Sequence, residues 1–302
     1  MTRSVRGPVP VSVALLVSGA AVGAAPARAE TPGAAAALEE GDRLWAGRAE
    51  GAKGGTALEA PIEACLASYR RALSSDPTSL AARWRLMRAL YFKGEYTTSD
   101  LERKKAIFEE GKRVGEDALA EIRRQASATA GRSLSDATPP QLVPFVKGRP
   151  DALASFLWAA VDWGKWSLAF GKMAAVKQGA AGKIRDYCEA AIALDPAFDD
   201  AGGHRVLGRL HHQTPAVPFL TGWASREKAL SNLRRAVELA PRHFINRLYL
   251  AEALYDYEKA SRGEARAMLQ ALIADTPAAE WAVEDARAQE DARALLASWA
   301  RP

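Results

Sequence analysis

Four segments of this chain run up to a proline in the same way: CLASYRRALSSDP (65–77), IRDYCEAAIALDP (184–196), ALSNLRRAVELAP (229–241) and ARAMLQALIADTP (265–277). Counting back from Pro77, Pro196, Pro241 and Pro277, position −12 holds Cys65, Ile184, Ala229 and Ala265. Position −8 holds Tyr69, Cys188, Leu233 and Leu269, and position −5 holds Ala72, Ala191, Ala236 and Leu272. Position −4 holds Leu73, Ile192, Val237 and Ile273. This spacing marks one face of an α-helix, and the proline stops that helix because it lacks the amide proton and clashes with the preceding turn. A small residue at −5 lets a neighbouring helix come close.

The segments after the prolines are helical again. LAARWRLMRALYFKGEY lies after Pro77 and HFINRLYLAEALYDYEK after Pro241, with Leu86 and Leu250, Ala89 and Ala253, and Tyr91 and Tyr255 in register. A small residue, a Tyr, an Ala-Leu pair and a closing Pro, with a second helix behind them, resemble the tetratricopeptide repeat. That resemblance implies stacked helix pairs forming a right-handed solenoid with a concave groove. Successive prolines stand 119, 45 and 36 residues apart, against a usual period of about 34. The expected fold class is therefore all-α, an irregular tetratricopeptide-like solenoid or superhelical bundle with long insertions.

The remaining segments fit around this array. Residues 1–29 carry Arg3 and Arg6, a short apolar run from Val11 to Ala25, and Ala27-Arg28-Ala29 as a small-x-small site. They read as a secretory signal cleaved after Ala29, with the apolar run too short and glycine-rich for a spanning helix. No cysteine stands near the cleavage point, so a lipoprotein is not expected. Cleavage removes three arginines and no acid, lowering the net charge from +5 to +2. No basic stripe with interleaved aromatics appears, so nucleic acid is excluded as a partner. Residues 30–58 read as a flexible tail running into a first helix, and 59–302 as one helical domain. Within it, 101–125 is an amphipathic helix or helix pair, 126–150 an inserted loop by its Ser, Gly and Pro content, and 278–302 a capping helix. Residues 152–176 read as a very apolar helix with Asp151 as N-cap. Cys65 and Cys188 sit at apolar helix positions and are expected as two buried thiols.

A second resemblance covers residues 150 to 300. WAAVDWGKWSLAFGK, EAAIALDPAFDDAGGHRVLGRLHHQTP, a Gly-Trp before a repeat helix, and NRLYLAEALYDYEKA are similar to the T-component family of TRAP transporters. Those are periplasmic tetratricopeptide-like proteins, so the resemblance implies a bundle with an apolar channel or groove and a periplasmic solute-binding subunit as partner. The chain departs from that family in lacking the lipoprotein cysteine and in placing Pro215-Ala-Val-Pro-Phe-Leu where a Gly-Gly-rich turn is expected. The front half, with RWRLMRALY, looks like tetratricopeptide proteins related to microtubule-dynamics regulators.

The chemical candidates are few. GxSxG, HExxH, GxGxxG and P-loop patterns are missing, and a cofactor is not expected. His204, Leu207, Gly208 and His211 share one helix face, with Leu207-Gly208 marking the buried side, so His204 and His211 are expected in the core. The i, i+7 spacing separates the two by about 10 Å along the axis, too far for one zinc ion. His212 points about 100° around the helix, toward the groove. Trp163 and Trp166 lie on the apolar helix, as core or as pocket walls. Asp199-Asp200 and Gly202-Gly203 read as a helix entry. Phe219, Leu220 and Trp223 are too apolar to hang in water and are expected to fold back beside the groove. With Tyr255, these residues make a groove of Trp163, Trp166, His212, Phe219, Trp223 and Tyr255, suited to a protein partner or a small apolar ligand. Two readings compete with a transporter component: a general envelope scaffold, and a metal-assisted hydrolase using His204, His211 and His212.

Overall fold

The computed structural model describes residues 31–215 and 221–300; the expected signal segment, Phe219 and Leu220 lie outside the described residues. Thirteen α-helices and no strand occur among the described residues. They are α1 (Pro32–Ala46), α2 (Glu59–Ser75), α3 (Leu80–Tyr96), α4 (Leu101–Ala130), α5 (Pro139–Val146), α6 (Pro150–Phe170) and α7 (Lys172–Lys177). The others are α8 (Ala180–Leu194), α9 (Phe198–Gln213), α10 (Arg226–Leu239), α11 (Phe244–Tyr257), α12 (Arg262–Ala274) and α13 (Ala282–Trp299). The fold is all-α.

The repeat face is the buried face. At positions −12, −8 and −5 all twelve side chains, from Cys65 to Leu272, are 4% exposed or less. The four residues at −4 are half-buried in every case. Local chemistry sets the helix ends. Ser79, Asp100 and Ser225 accept hydrogen bonds from Ala82, Arg103 and Lys228 amides at 3.0, 2.8 and 3.0 Å, satisfying first-turn donors that have no intrahelical partner. Pro77, Pro196 and Pro241 each come directly after a C-cap.

Two layers result. Consecutive helices pack against each other, except that α5 packs on α4 and α8 instead of α6, and α1, α3, α6, α9, α11 and α13 also touch in series. The stack then closes on itself. The α1–α2 loop meets α13 through Arg48, whose Nη2 lies 2.8 Å from Glu284 Oε1, with both residues 5% exposed. Gly55 donates its amide to Glu290 at 2.9 Å and accepts from Arg287 Nη2 at 2.8 Å. A Cβ on Gly55 would stand 2.6 Å from the Arg287 backbone, so only glycine permits this approach. Asp291 on α13 feels Glu95 and Lys165, and Tyr249 on α11 feels Lys165 and Tyr91. The layer α1-α3-α6-α9-α11-α13 is therefore the inner one, with α11 and α13 facing α3 and α6.

Several segments depart from expectation. The described part of the expected tail, 31–58, already holds a packed helix: alanine-rich α1, with Pro32 at its first turn and Thr31 as cap, packs on α2. Gly41 makes that packing possible, since a Cβ there would lie 2.3 Å from the Tyr69 ring. The 126–150 stretch is not one loop. α4 runs on to Ala130, and Pro139 opens α5 behind a Thr138–Gln141 capping box. Arg149, not Asp151, is the N-cap of α6, because Pro150 fixes the first helical φ. α6 stops at Phe170, where Gly171 takes φ 85°. Asp199, Asp200 and Ala201 are left-handed, at φ 52°, 52° and 62°, so the acidic pair makes a strained bend instead of a simple cap.

Candidate functional site on the inner layer

α3, the second helix of the inner layer, turns one polar and aromatic face inward. Trp84, Arg85, Arg88, Tyr91 and Glu95 recur at helical spacing, and none is fully exposed or fully buried. Arg88 is the centre of this face. Its guanidinium carbon lies 4.0 Å from the centroid of Trp45 on α1 and 4.9 Å from that of Trp84. A planar cation stacks well on indoles, which are the strongest aromatic partners for it. Its Nε has no hydrogen-bond partner, and its closest carboxylate, Asp42, is 4.0 Å away. Burial presses the Arg88 pKa below the ordinary arginine value, yet 19% of the side chain remains accessible.

The surroundings hold Arg88 in place. Asp42 is committed elsewhere, accepting from Tyr69 Oη at 2.7 Å and from Arg85 Nε at 2.9 and 3.0 Å. The Trp84 indole donates to Asp151 Oδ1 at 2.9 Å. Further along, Lys165 pairs with Glu95 at 2.7 Å and lies 5.5 Å from the Tyr91 centroid. Burial opposes the Lys165 charge, but Glu95 outweighs it and raises the pKa above the ordinary lysine range. Arg209 pairs with Glu252 at 2.7 Å and stacks 4.4 Å over Tyr249. Every one of these cations except Arg88 has a carboxylate within hydrogen-bonding distance.

Of the expected groove residues, Trp163, Trp166, Trp223 and Tyr255 do not meet here, and Phe219 lies outside the described residues. Trp163 and Trp166, 0% and 4% exposed, are core. Trp166 donates to Glu109 on α4, and Lys183 of α8 lies 4.0 Å over Trp163, so both indoles face away from the inner side. Tyr255 is covered by Trp299, stacked at 3.8 Å and 2°. Trp223 does fold back, but onto His211 at 5.2 Å and under Arg185 of α8. The inner face is thus charged and aromatic, not an apolar groove.

The three neighbouring histidines have three different surroundings. His204 Nδ1 lies 2.9 Å from Asn232 Oδ1 and is only half-buried. His211, 4% exposed, accepts from the Ser225 amide at 3.3 Å. Burial, helped by Lys228 and Arg185, lowers its pKa to about 4. His212 turns to α11, with Nε2 2.9 Å from Asp256 Oδ2 and Nδ1 3.1 Å from Arg209 Nη1. Because an arginine can only donate, the network assigns Nδ1 as acceptor and Nε2–H as donor. Leu207 and Gly208 are buried, and a Cβ on Gly208 would lie 2.7 Å from Leu233.

One group has metal-ligand character. His212, Glu252 and Asp256 each offer an atom within 4.8 Å of the others. The carboxylates stand one turn apart on α11, and imidazole plus two carboxylates suits a divalent cation. The positive charge there is already supplied by Arg209, whose Nη1 donates to Glu252 and reaches His212. A cation would have to turn Arg209 away. A separate cleft of ≈ 790 Å³ lies among the ends of α9, α11, α12 and α13, lined by Asp200, His243, Trp281 and Asp285 among others. Burial lowers His243 to about 2 and raises Asp285 to about 6.

Arg85 and Arg88 were missed at the level of sequence, where RWRLMRALY stands out for its repeat register. Two arginines beside a tryptophan on one helix face were the available signal. Trp45, 43 residues before Arg88, carried none. No protein-family model matches this chain, and no curated protein matches it.

Proposed function

We propose that this protein is an exported, non-catalytic tetratricopeptide-like binding protein, whose inner face holds a small organic anion. The observation that carries this reading is Arg88: a partly accessible guanidinium beside the Trp45 and Trp84 indoles, whose closest carboxylate stands 4.0 Å away. A ligand carboxylate would supply the missing anion at the accessible part of the guanidinium, and the indoles would receive an apolar body beside it. In this reading the ligand is amphipathic and anionic, not purely apolar.

The role we favour is an accessory component of a TRAP-type solute importer, with a periplasmic solute-binding subunit as protein partner. It rests on the resemblance of residues 150–300 to the T-component family and on an inner face fitted to a solute. The alternative is a general envelope scaffold for assembly or secretion, which would use the outer layer and need no ligand. A direct binding titration of the protein against the solute-binding subunit from the same organism separates them. Saturable binding that changes when Arg88→Gln is introduced supports the importer role. Absence of binding in the presence and absence of solute rejects it. The hydrolase reading draws less support, since His204, His211 and His212 address Asn232, Ser225 and Asp256 respectively.

A further inference from the structure

The end of α6 and the short α7 form a tip with an unusual surface. Six large apolar side chains are exposed among the described residues, and four of them fall in this one nine-residue stretch. They are Leu168 (66% exposed), Phe170 (36%), Met173 (84%) and Val176 (57%). Gly171 at φ 85° and Gly179 at φ 63° flank α7, whose Ala174 and Ala175 pack against the core while Met173 and Val176 stay exposed. A fifth exposed residue, Leu101, stands one turn before Lys105 on α4, and Lys105 Nζ lies 5.9 Å from the Phe170 centroid. The root of the tip is firm, because Phe170 stacks on buried Trp166 at 4.8 Å and 21°.

Charge distinguishes this tip from an ordinary apolar patch. From Trp163 to Arg185 the chain carries Lys165, Lys172, Lys177, Lys183 and Arg185 and no acidic residue. Lys172 and Lys177, both exposed, make no ion pair among the described residues. A second copy of the chain would bring like charges together across such a contact, which disfavours self-association. Apolar side chains flanked by unpaired lysines match a different counterpart: an acyl-chain boundary beneath a layer of phosphates. No described helix is long and apolar enough to cross a membrane, so the contact is interfacial.

We propose that the α6–α7 tip docks this protein on an anionic phospholipid surface. Leu168, Phe170, Met173 and Val176 enter the headgroup–acyl boundary, while Lys172 and Lys177 meet the phosphates; Lys105 at the edge is already paired with Glu102 at 2.7 Å. The docking is reversible and weakens with salt, because exposed charges are screened.

The test uses the full chain carrying one environment-sensitive fluorophore at Met173→Cys, with the native thiols Cys65 and Cys188 both 0% exposed. A control chain carries the label at Glu238→Cys on α10, where the native side chain is 69% exposed. Vesicles of phosphatidylcholine containing phosphatidylglycerol should blue-shift the label at 173 and leave the label at 238 unchanged. Pure phosphatidylcholine should leave both unchanged. Adding Lys172→Glu and Lys177→Glu should weaken the response about tenfold or more, from the usual gain per lysine near an anionic surface. No shift at 173 with the anionic vesicles would overturn the proposal. So would an equal shift with pure phosphatidylcholine, or a shift on raising protein concentration without lipid, which would mean self-association. Far-UV circular dichroism identical to wild type shows that the labelled chains are folded.

Discussion

Arg48 and Glu284, 236 residues apart in the chain, form a buried ion pair at 2.8 Å that joins the first loop to the last helix. An open array of repeats unfolds piecemeal, since each unit touches only its neighbours. A closed one shares its ends, so disruption at either end is felt at both. Arg48 also stacks 4.3 Å over Trp45 and reaches 5.7 Å from Trp281, which ties the closure to the wall of the Arg88 site.

Removing one partner should therefore cost more than an ordinary surface bridge. Arg48→Met leaves the Glu284 carboxylate buried and unpaired, with its pKa already raised by burial. The expected loss is about 3 to 5 kcal/mol in urea unfolding, with Arg48→Met/Glu284→Leu recovering most of it. A loss under about 1 kcal/mol would show that the ring is open in solution.

Gly208→Ala addresses the joint between the two hydrophobic clusters, one containing Leu207 and the other Leu233. The added Cβ would lie 2.7 Å from Leu233 Cγ and 3.1 Å from its backbone nitrogen. Destabilisation of about 1 to 3 kcal/mol is expected. Combined with Leu233→Ala, the two costs should sum to more than the double variant shows, because truncation makes the space.

His211 should stay neutral well into acid. Its folded pKa of about 4, against an ordinary 6.5, means that the unfolded chain takes up a proton first as pH falls. Stability from this group is intact above pH 6.5 and is lost progressively down to about pH 4. Proton-detected titration of the imidazole should show no inflection for His211 between about pH 5.5 and 8.

Asp285 works in the opposite direction. Burial, reinforced by Glu284 and Asp200 against the Ala278 amide and Arg247, raises its carboxyl to about 6 from 3.8. The folded state then holds the extra proton, so stability falls as pH rises from about 4 to 6. Asp285→Asn keeps an acceptor for the Ala278 amide and removes the buried charge. It should raise stability at pH 7 by about 1 to 3 kcal/mol, and the gain should vanish by about pH 4.

What the sequence made legible is what repeats. The −12, −8 and −5 positions from Cys65 to Leu272 share one spacing and one fate, because helical period and core burial are the same physical fact seen twice. Leu207-Gly208 and inward His211 were readable for the same reason. The closure was not, because Gly55 against Arg287 is a contact between an irregular loop and a helix far downstream. The Arg88 site was half legible. Its α3 face has a period, whereas Trp45 joins it only through the packing of α1, a helix whose Ala and Gly content reads equally as a tail. Trp163 and Trp166 were legible as core or pocket wall, and they are core: an apolar helix gives no sign of which side meets the inner layer, and α4 and α8 claimed both indoles.

The central claim is that Arg88, held between Trp45 and Trp84, binds an organic carboxylate. It is tested most directly by titrating a panel of aliphatic and aromatic carboxylates into the purified protein while monitoring tryptophan emission, alongside Arg88→Met. Saturable quenching by at least one carboxylate is expected in the native protein, with affinity lowered about tenfold or more in Arg88→Met at unchanged helicity, as for loss of a charged hydrogen bond. Equal affinity in the two proteins, or no saturable response to any carboxylate, would contradict it.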